Sequence, residues 1–209
     1  GTLKQFDTAI IIAGGRSTRM GYDKAFMKIG NTSCIELIIQ KLKGHFNEII
    51  IVSDKPNKYR INNVKSTHDE IKNAGPIGGL HAGLKISSSF YNYLIACDMP
   101  VLSDELITHM KNLILLQPDI IACKNKGFIE PFHAVYGKHL TKKIEYEIKS
   151  GEYSLFNLMS KSKTEIISYD TIIKICKNTS VFTNLNTRQE LDRYISKEVG
   201  FSDERYANS

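Results

Sequence analysis

The chain has 209 residues, 42% hydrophobic and 24% charged, the balance of a soluble globular protein long enough for one large α/β domain with a buried core. Its formal net charge of +6 admits an anionic partner, but the lysines are scattered among acidic residues with no basic stripe interleaved with aromatics, which argues for a small anionic molecule over nucleic acid. No stretch reads as a signal peptide or as a membrane span, and Cys34, Cys97, Cys123 and Cys176 form no C-x-x-C pair, so free thiols in a reducing cytoplasm are expected.

The first predicted element is a buried strand over 7–13, whose apolar run feeds Gly14-Gly15 and then Arg16, Arg19 and Lys24. Glycines at a strand end let backbone N–H groups approach a ligand closely, and the cations that follow imply a polyphosphate. The stretch is not a P-loop, because Tyr22 and Asp23 separate Gly21 from Lys24, and it lacks the spacing of a dinucleotide fingerprint. The competing reading is a tight turn carrying a solvated basic surface.

A helix over 34–43, entered at Asn31-Thr32-Ser33, precedes a buried strand over 48–53 that Asp54-Lys55-Pro56 closes. A short strand over 63–67 leads to the loop Gly75-Pro76-Ile77-Gly78-Gly79 and a helix to about 86. A strand over 93–97, a helix over 104–116 capped by Ser103 and a strand over 119–123 follow. Apolar, nonalternating strands between helices predict a three-layer α/β/α fold around a mostly parallel, Rossmann-like sheet. Such sheets bind ligands at the carboxyl ends of their strands, where the glycine loop, Ser53, Asp69, the Gly75 loop and Asp98 all fall.

Beyond 124 the pattern loosens into a strand over 129–136, helices over 140–149 and 154–160, strands over 163–168 and 181–183, and a last helix over 187–196. No repeat or linker divides the chain. One domain over 1–197 is expected, with halves at about 7–124 and 125–197 and a flexible tail over 198–209.

Asp98 closes a buried strand in Cys97-Asp98-Met99-Pro100. A carboxylate there suits Mg²⁺, which takes one or two carboxylates and completes its shell with water and phosphate oxygens. The alternative is an Asp that merely starts a turn before proline. Lys24 and Arg19 are placed to reach the phosphates, whereas Arg16 reads equally as a surface cation, and Asp23 as a residue orienting the loop. Asp69 offers a carboxylate able to accept from the adjacent N1–H and amino group of guanine, or is an ordinary loop Asp.

Taken together, Ala13-Gly14-Gly15 with Ser17, Arg19, Met20, Gly21, Asp23 and Lys24, the Gly75–Gly79 loop and Cys97-Asp98-Met99-Pro100 resemble the molybdenum cofactor guanylyltransferases. The resemblance continues in Glu130-Pro131-Phe132-His133-Ala134-Val135-Tyr136 and in Phe182-Thr183-Asn184-Leu185-Asn186-Thr187, and so spans roughly 8–195. It implies the nucleotidyltransferase fold, GTP and molybdopterin as substrates, and Mg²⁺ on Asp98. It places GTP contacts on Ile12, Ala13, Gly14, Gly15, Lys24, Ser53, Asp69, Gly75 and Asp98, with Lys24, Arg19 and Asp98 catalytic. Ser53 stands where the family carries an asparagine, with a shorter side chain and no amide donor. Pro131, Asn184 and Asn186 are the implied molybdopterin contacts; a turn and a helix cap are the plainer reading of the two asparagines. Partner proteins of molybdenum cofactor biosynthesis are also implied. Two other readings are a cytidylyl or sugar-phosphate transferase of the same fold, disfavoured by Asp69 and by Asn184–Thr187, and a nucleotide-binding regulator without catalysis, disfavoured by Lys24 and Asp98.

Overall fold

A computed structural model of the chain describes residues 2–13, 28–29, 32–55, 61, 63–69, 71, 74–185, 190 and 193. The central strand is β1 (Thr8–Ile12), which pairs in parallel with β4 (Glu48–Val52) on one side and β6 (Tyr91–Ala96) on the other. The remaining strands are the β2–β3 hairpin (Lys28–Ile29 and Thr32–Ser33), β5 (Lys65–Thr67), β7 (Ile120–Asn125), β8 (Phe128–Gly137) and β9 (Thr164–Ile167). The main sheet has seven strands in the order β5-β4-β1-β6-β8-β7-β9. All run parallel except β8, which is antiparallel to both of its neighbours. The turn at Lys126-Gly127, with Lys126 at φ 57°, is too short for a crossover and folds β8 straight back on β7.

Six helices cover the sheet among the described residues: α1 (Cys34–Leu42), α2 (Pro76–Ile86), α3 (Asp104–Leu113), α4 (Thr141–Lys149), α5 (Leu155–Ser160) and α6 (Tyr169–Cys176). Side chains alternate across each strand, so one strand serves both cores. Ala9, Ile11, Ile49, Ile51 and Tyr93 join α1, α3 and α6 on one face. Ile10, Ile50, Val52 and Leu94 join α2, α4 and α5 on the other. Burial on both faces explains why the inner strands read as unbroken apolar runs, and the expected three-layer α/β/α architecture holds.

Serine hydroxyls fix three helix starts: Ser103 accepts from the Leu106 amide at 3.1 Å, Ser154 from Asn157 at 3.3 Å and Ser168 from Thr171 at 3.2 Å. The expected helix over 104–116 is α-helical only to Leu113 and tightens into a 3₁₀ turn at Ile114–Leu116. The expected strand over 181–183 is instead part of a 3₁₀ turn, Ser180–Phe182, whose Val181 and Phe182 tuck into the core without a strand partner. Helix α6 was not expected. Its isoleucine-rich run suits a strand by propensity, yet the Ser168 cap and the single fully buried Ile172 make it helical.

The last expected helix and the tail lie outside the described residues, apart from the helical Glu190 and Arg193. All four cysteines are free thiols. Among the described residues no helix is long and apolar enough to cross a membrane.

Candidate active site

Four adjacent strands end level at one edge of the sheet. The Ala13 amide donates to the Val52 carbonyl at 2.9 Å, the Ser53 amide to Thr67 at 3.0 Å and the Cys97 amide to Ile12 at 3.1 Å. These bonds carry the ladder one residue past each strand and set Ala13, Ser53, His68-Asp69 and Cys97-Asp98 side by side. That is the carboxyl edge of the parallel strands, where open α/β sheets hold their ligands. Ile12, Ala13, Ser53, Asp69 and Asp98 are thereby brought together as expected.

Ser53 is buried, and its hydroxyl accepts from the Lys55 amide at 3.1 Å, bending the chain away from the sheet. Asp69 is half-buried and accepts the Ile71 amide on Oδ1 at 2.8 Å. Its other oxygen lies against Gly78 in the first turn of α2, so closely that a methyl group there would collide with the carboxylate. Gly75 precedes that turn with φ 68°, a left-handed conformation that glycine adopts without strain, and Pro76 follows at the helix start. The loop glycines therefore have separate tasks: Gly75 turns the chain and Gly78 leaves room for Asp69.

Asp98 is half-exposed in a tight turn closed by the Met99 amide on the Ala96 carbonyl at 3.1 Å. Its own carbonyl accepts the Leu185 amide at 2.7 Å. This bond draws the segment after the 3₁₀ turn, including the exposed Asn184, against the end of β6. Because β8 is antiparallel, its first residues reach the same edge, and half-buried Pro131 lies there, its carbonyl accepting the Tyr136 hydroxyl at 2.7 Å. The two halves of the chain therefore meet at Asp98.

Gly14, Gly15, Arg16, Arg19, Asp23, Lys24 and Asn186 lie outside the described residues. Two described residues to which the sequence reading gave no role lie on β8 close to Pro131. Glu130, on β8 beside Pro131, is buried; burial raises its carboxyl above the usual range, and the Asn125 amide at 3.3 Å partly offsets this. His133 is fully buried within a β-bulge and bonds to Tyr93 and to the Met99 carbonyl. A lone histidine among the apolar residues Phe132, Ala134, Val135 and Tyr136 was the available signal for it.

The donor set bears on the implied metal. Among the described residues no group of three or more His, Cys, Asp or Glu side chains could hold an ion by itself. A single carboxylate at the carboxyl edge of the strands suits Mg²⁺ that is shared with ligand oxygens and water, rather than an ion held by protein alone.

A model of the MobA-like NTP transferase domain matches residues 9–165. A probable molybdenum cofactor guanylyltransferase of Peptoclostridium acidaminophilum is 42% identical, over 91% of this chain and 89% of its own. A molybdenum cofactor guanylyltransferase of Syntrophotalea carbinolica is 35% identical over 91% of each. The crystal structure of molybdopterin-guanine dinucleotide biosynthesis protein A from Archaeoglobus fulgidus superposes with a TM-score of 0.74 at 22% identity, covering 89% of this chain and 95% of that one, a likeness of fold. The sheet edge, the glycine loop against it and these likenesses lead to one conclusion: the chain is a nucleotidyltransferase and belongs to the MobA-like NTP transferase family, among relatives named molybdenum cofactor guanylyltransferases.

Proposed function

We propose that this protein transfers the GMP unit of GTP to the terminal phosphate of molybdopterin, releasing pyrophosphate and forming the guanine dinucleotide. The observation that supports the reading is the Leu185–Asp98 hydrogen bond, which sets segment 183–185, read here as the acceptor side, beside Asp98, read here as the carboxylate of the phosphate side. The names of relatives aligned over nine tenths of the chain support the same substrates.

In this mechanism a phosphate oxygen of molybdopterin attacks the α-phosphorus of GTP in line, and the bond to the β-phosphate oxygen breaks as pyrophosphate leaves. The nucleophile is already an anion, so the reaction needs no general base and no covalent enzyme intermediate. Lys24 and Arg19 neutralise charge on the phosphates from the glycine loop. Asp98 would hold Mg²⁺, which when bound screens the same phosphates. Ile12, Ala13, Gly14, Gly15, Ser53 and Gly75 line the nucleotide, and Asp69 accepts from the guanine N1–H and amino group. Asn184, Asn186 and Pro131 receive the molybdopterin.

Asp98→Ala tests this assignment. The variant is expected to keep its melting temperature within a few degrees while losing pyrophosphate release from GTP and molybdopterin by at least about a thousandfold. Turnover within about threefold of the parent would remove Asp98 from the mechanism.

A further inference from the structure

One buried residue lies beneath the Asp98 turn and touches both that turn and the 3₁₀ turn before Asn184. His133 has no exposed surface and a left-handed backbone, φ 52°. It occupies the irregular stretch of β8 where the register with β7 jumps from Ile121–Val135 to Cys123–Glu130. Bulges next to functional sites commonly re-aim one side chain, and this one turns an imidazole into the core below the Asp98 turn. Nε2 lies 3.2 Å from the Met99 carbonyl and Nδ1 lies 2.5 Å from the Tyr93 hydroxyl.

A carbonyl can only accept, so Nε2 carries the hydrogen, and Nδ1 accepts from Tyr93. Burial favours this neutral ring, holding its pKa down to about 4 against the weaker opposing pull of the Met99 carbonyl. Tyr93 is itself anchored on β6, stacked on Phe46 at 5.7 Å, so the ring is held in one orientation. The edge contact to Phe182, with centroids 6.3 Å apart, reaches the 3₁₀ turn that leads into Asn184 and Leu185. A closed circuit results: His133 to Met99, Asp98 to Leu185, and Phe182 back to His133.

We infer that His133 is a positioning residue for the transfer reaction, holding the Asp98 turn and the acceptor segment 183–185 at one separation through its Nε2–H bond to Met99 and its contact with Phe182. The role rests on the reading of Asp98 and Asn184 under Proposed function. Holding the reacting groups in line acts on kcat, because small displacements leave each substrate bound but misaligned.

A matched pair of variants separates the hydrogen bond from mere packing. His133→Gln and His133→Met have similar length and the same left-handed strain, but only glutamine keeps an N–H that reaches the Met99 carbonyl. For His133→Met, kcat is expected to fall about tenfold or more, the effect of losing a buried hydrogen bond, with KM for GTP and molybdopterin within about threefold. Amide exchange at Met99 and Leu185, measured without substrates, is expected to quicken about tenfold in the same variant while Val135 and Ile121 stay protected. His133→Gln is expected to stay within about threefold of the parent in both readouts.

Equal kcat and equal exchange at Leu185 in the parent and both variants would overturn the inference, whatever their melting temperatures. If His133→Met does not fold, Tyr93→Phe supplies the second test. Releasing Nδ1 is expected to lower kcat and quicken Leu185 exchange, and no change in either would overturn the role. An inactive Asp98→Ala beside an unaffected His133 pair removes only this inference, whereas a fully active Asp98→Ala removes the underlying site reading and this inference with it.

Discussion

The Leu185 amide donates to the Asp98 carbonyl across 2.7 Å, joining segment 183–185 to the end of the fourth parallel strand. Leu185 is buried while its neighbour Asn184 is exposed, so the bond anchors the segment and leaves the asparagine turned out. Asn184→Ala is therefore expected to raise KM for molybdopterin about tenfold, the scale of one or two lost hydrogen bonds, with KM for GTP within about twofold. Steady-state kinetics with each substrate varied in turn checks this. A rise in KM for GTP instead would place Asn184 on the nucleotide.

Asp69 and Gly78 make a second coupled pair. A methyl group at Gly78 would meet the Asp69 carboxylate and lie 2.9 Å from the Ala74 side chain, so Gly78→Ala must push Asp69 aside. The variant is expected to fold, with a melting temperature a few degrees lower, and to lose about tenfold in GTP affinity. Equilibrium titration with GTP gives the answer. Unchanged affinity would separate Asp69 from the base.

The ring of His133 sets a pH dependence of stability. Its folded pKa of about 4 lies below the value of about 6.5 expected in an unfolded chain. As pH falls the unfolded chain takes the proton first, so the His133 contribution is complete above about pH 6.5 and is lost on the way down to pH 4. The loss is on the order of 3 kcal/mol. Tyr93 and Cys123, whose groups burial pushes upward, stay neutral throughout this window. Glu130, three residues earlier on β8 and also raised, works in the opposite sense, its contribution fading as pH rises. Subtracting the urea-denaturation profile of His133→Gln isolates the histidine. The difference is expected to shrink between pH 6.5 and 4, and a flat difference would contradict the neutral ring.

Lys138, just after β8 and before α4, caps the end of α2 on the same face of the sheet. Its ammonium donates to the carbonyls of Leu84, Lys85 and Ser87 at 2.9, 3.0 and 2.8 Å. Leu84 and Lys85 lie in the last turn and Ser87 caps it, where helix carbonyls outnumber the amides that could meet them, and a cation there also meets the negative end of the helix dipole. Lys138→Met is expected to cost about 1–2 kcal/mol in urea denaturation with kcat unaltered. A cost below about 0.3 kcal/mol would mean that water replaces the lysine freely.

Much of this architecture was legible because local chemistry and final environment agree. The runs Ile10-Ile11-Ile12 and Ile49-Ile50-Ile51 read as strands buried on both faces, and they are, with Ile12 at the strand end half-buried. Asp98 and Ser53, polar residues ending such runs, fall at the carboxyl edge of the strands for the same reason. Other features depend on contacts between distant residues. The insertion of β8 between β6 and β7 follows from the Lys126-Gly127 turn, where a lysine takes a positive φ that its side chain does not announce. Val181 and Phe182 read as a strand because they are apolar, but they sit in the core as a 3₁₀ turn. The role of His133 depends on Tyr93, Met99 and Phe182, none adjacent to it in sequence.

Guanylyl transfer to molybdopterin is tested by the mass of the product formed when the enzyme is incubated with Mg²⁺, molybdopterin and an equimolar mixture of GTP and CTP. The guanine dinucleotide is expected, with one pyrophosphate released for each, and no pyrophosphate when molybdopterin is omitted. A cytosine dinucleotide, or pyrophosphate released from GTP without molybdopterin, would contradict it.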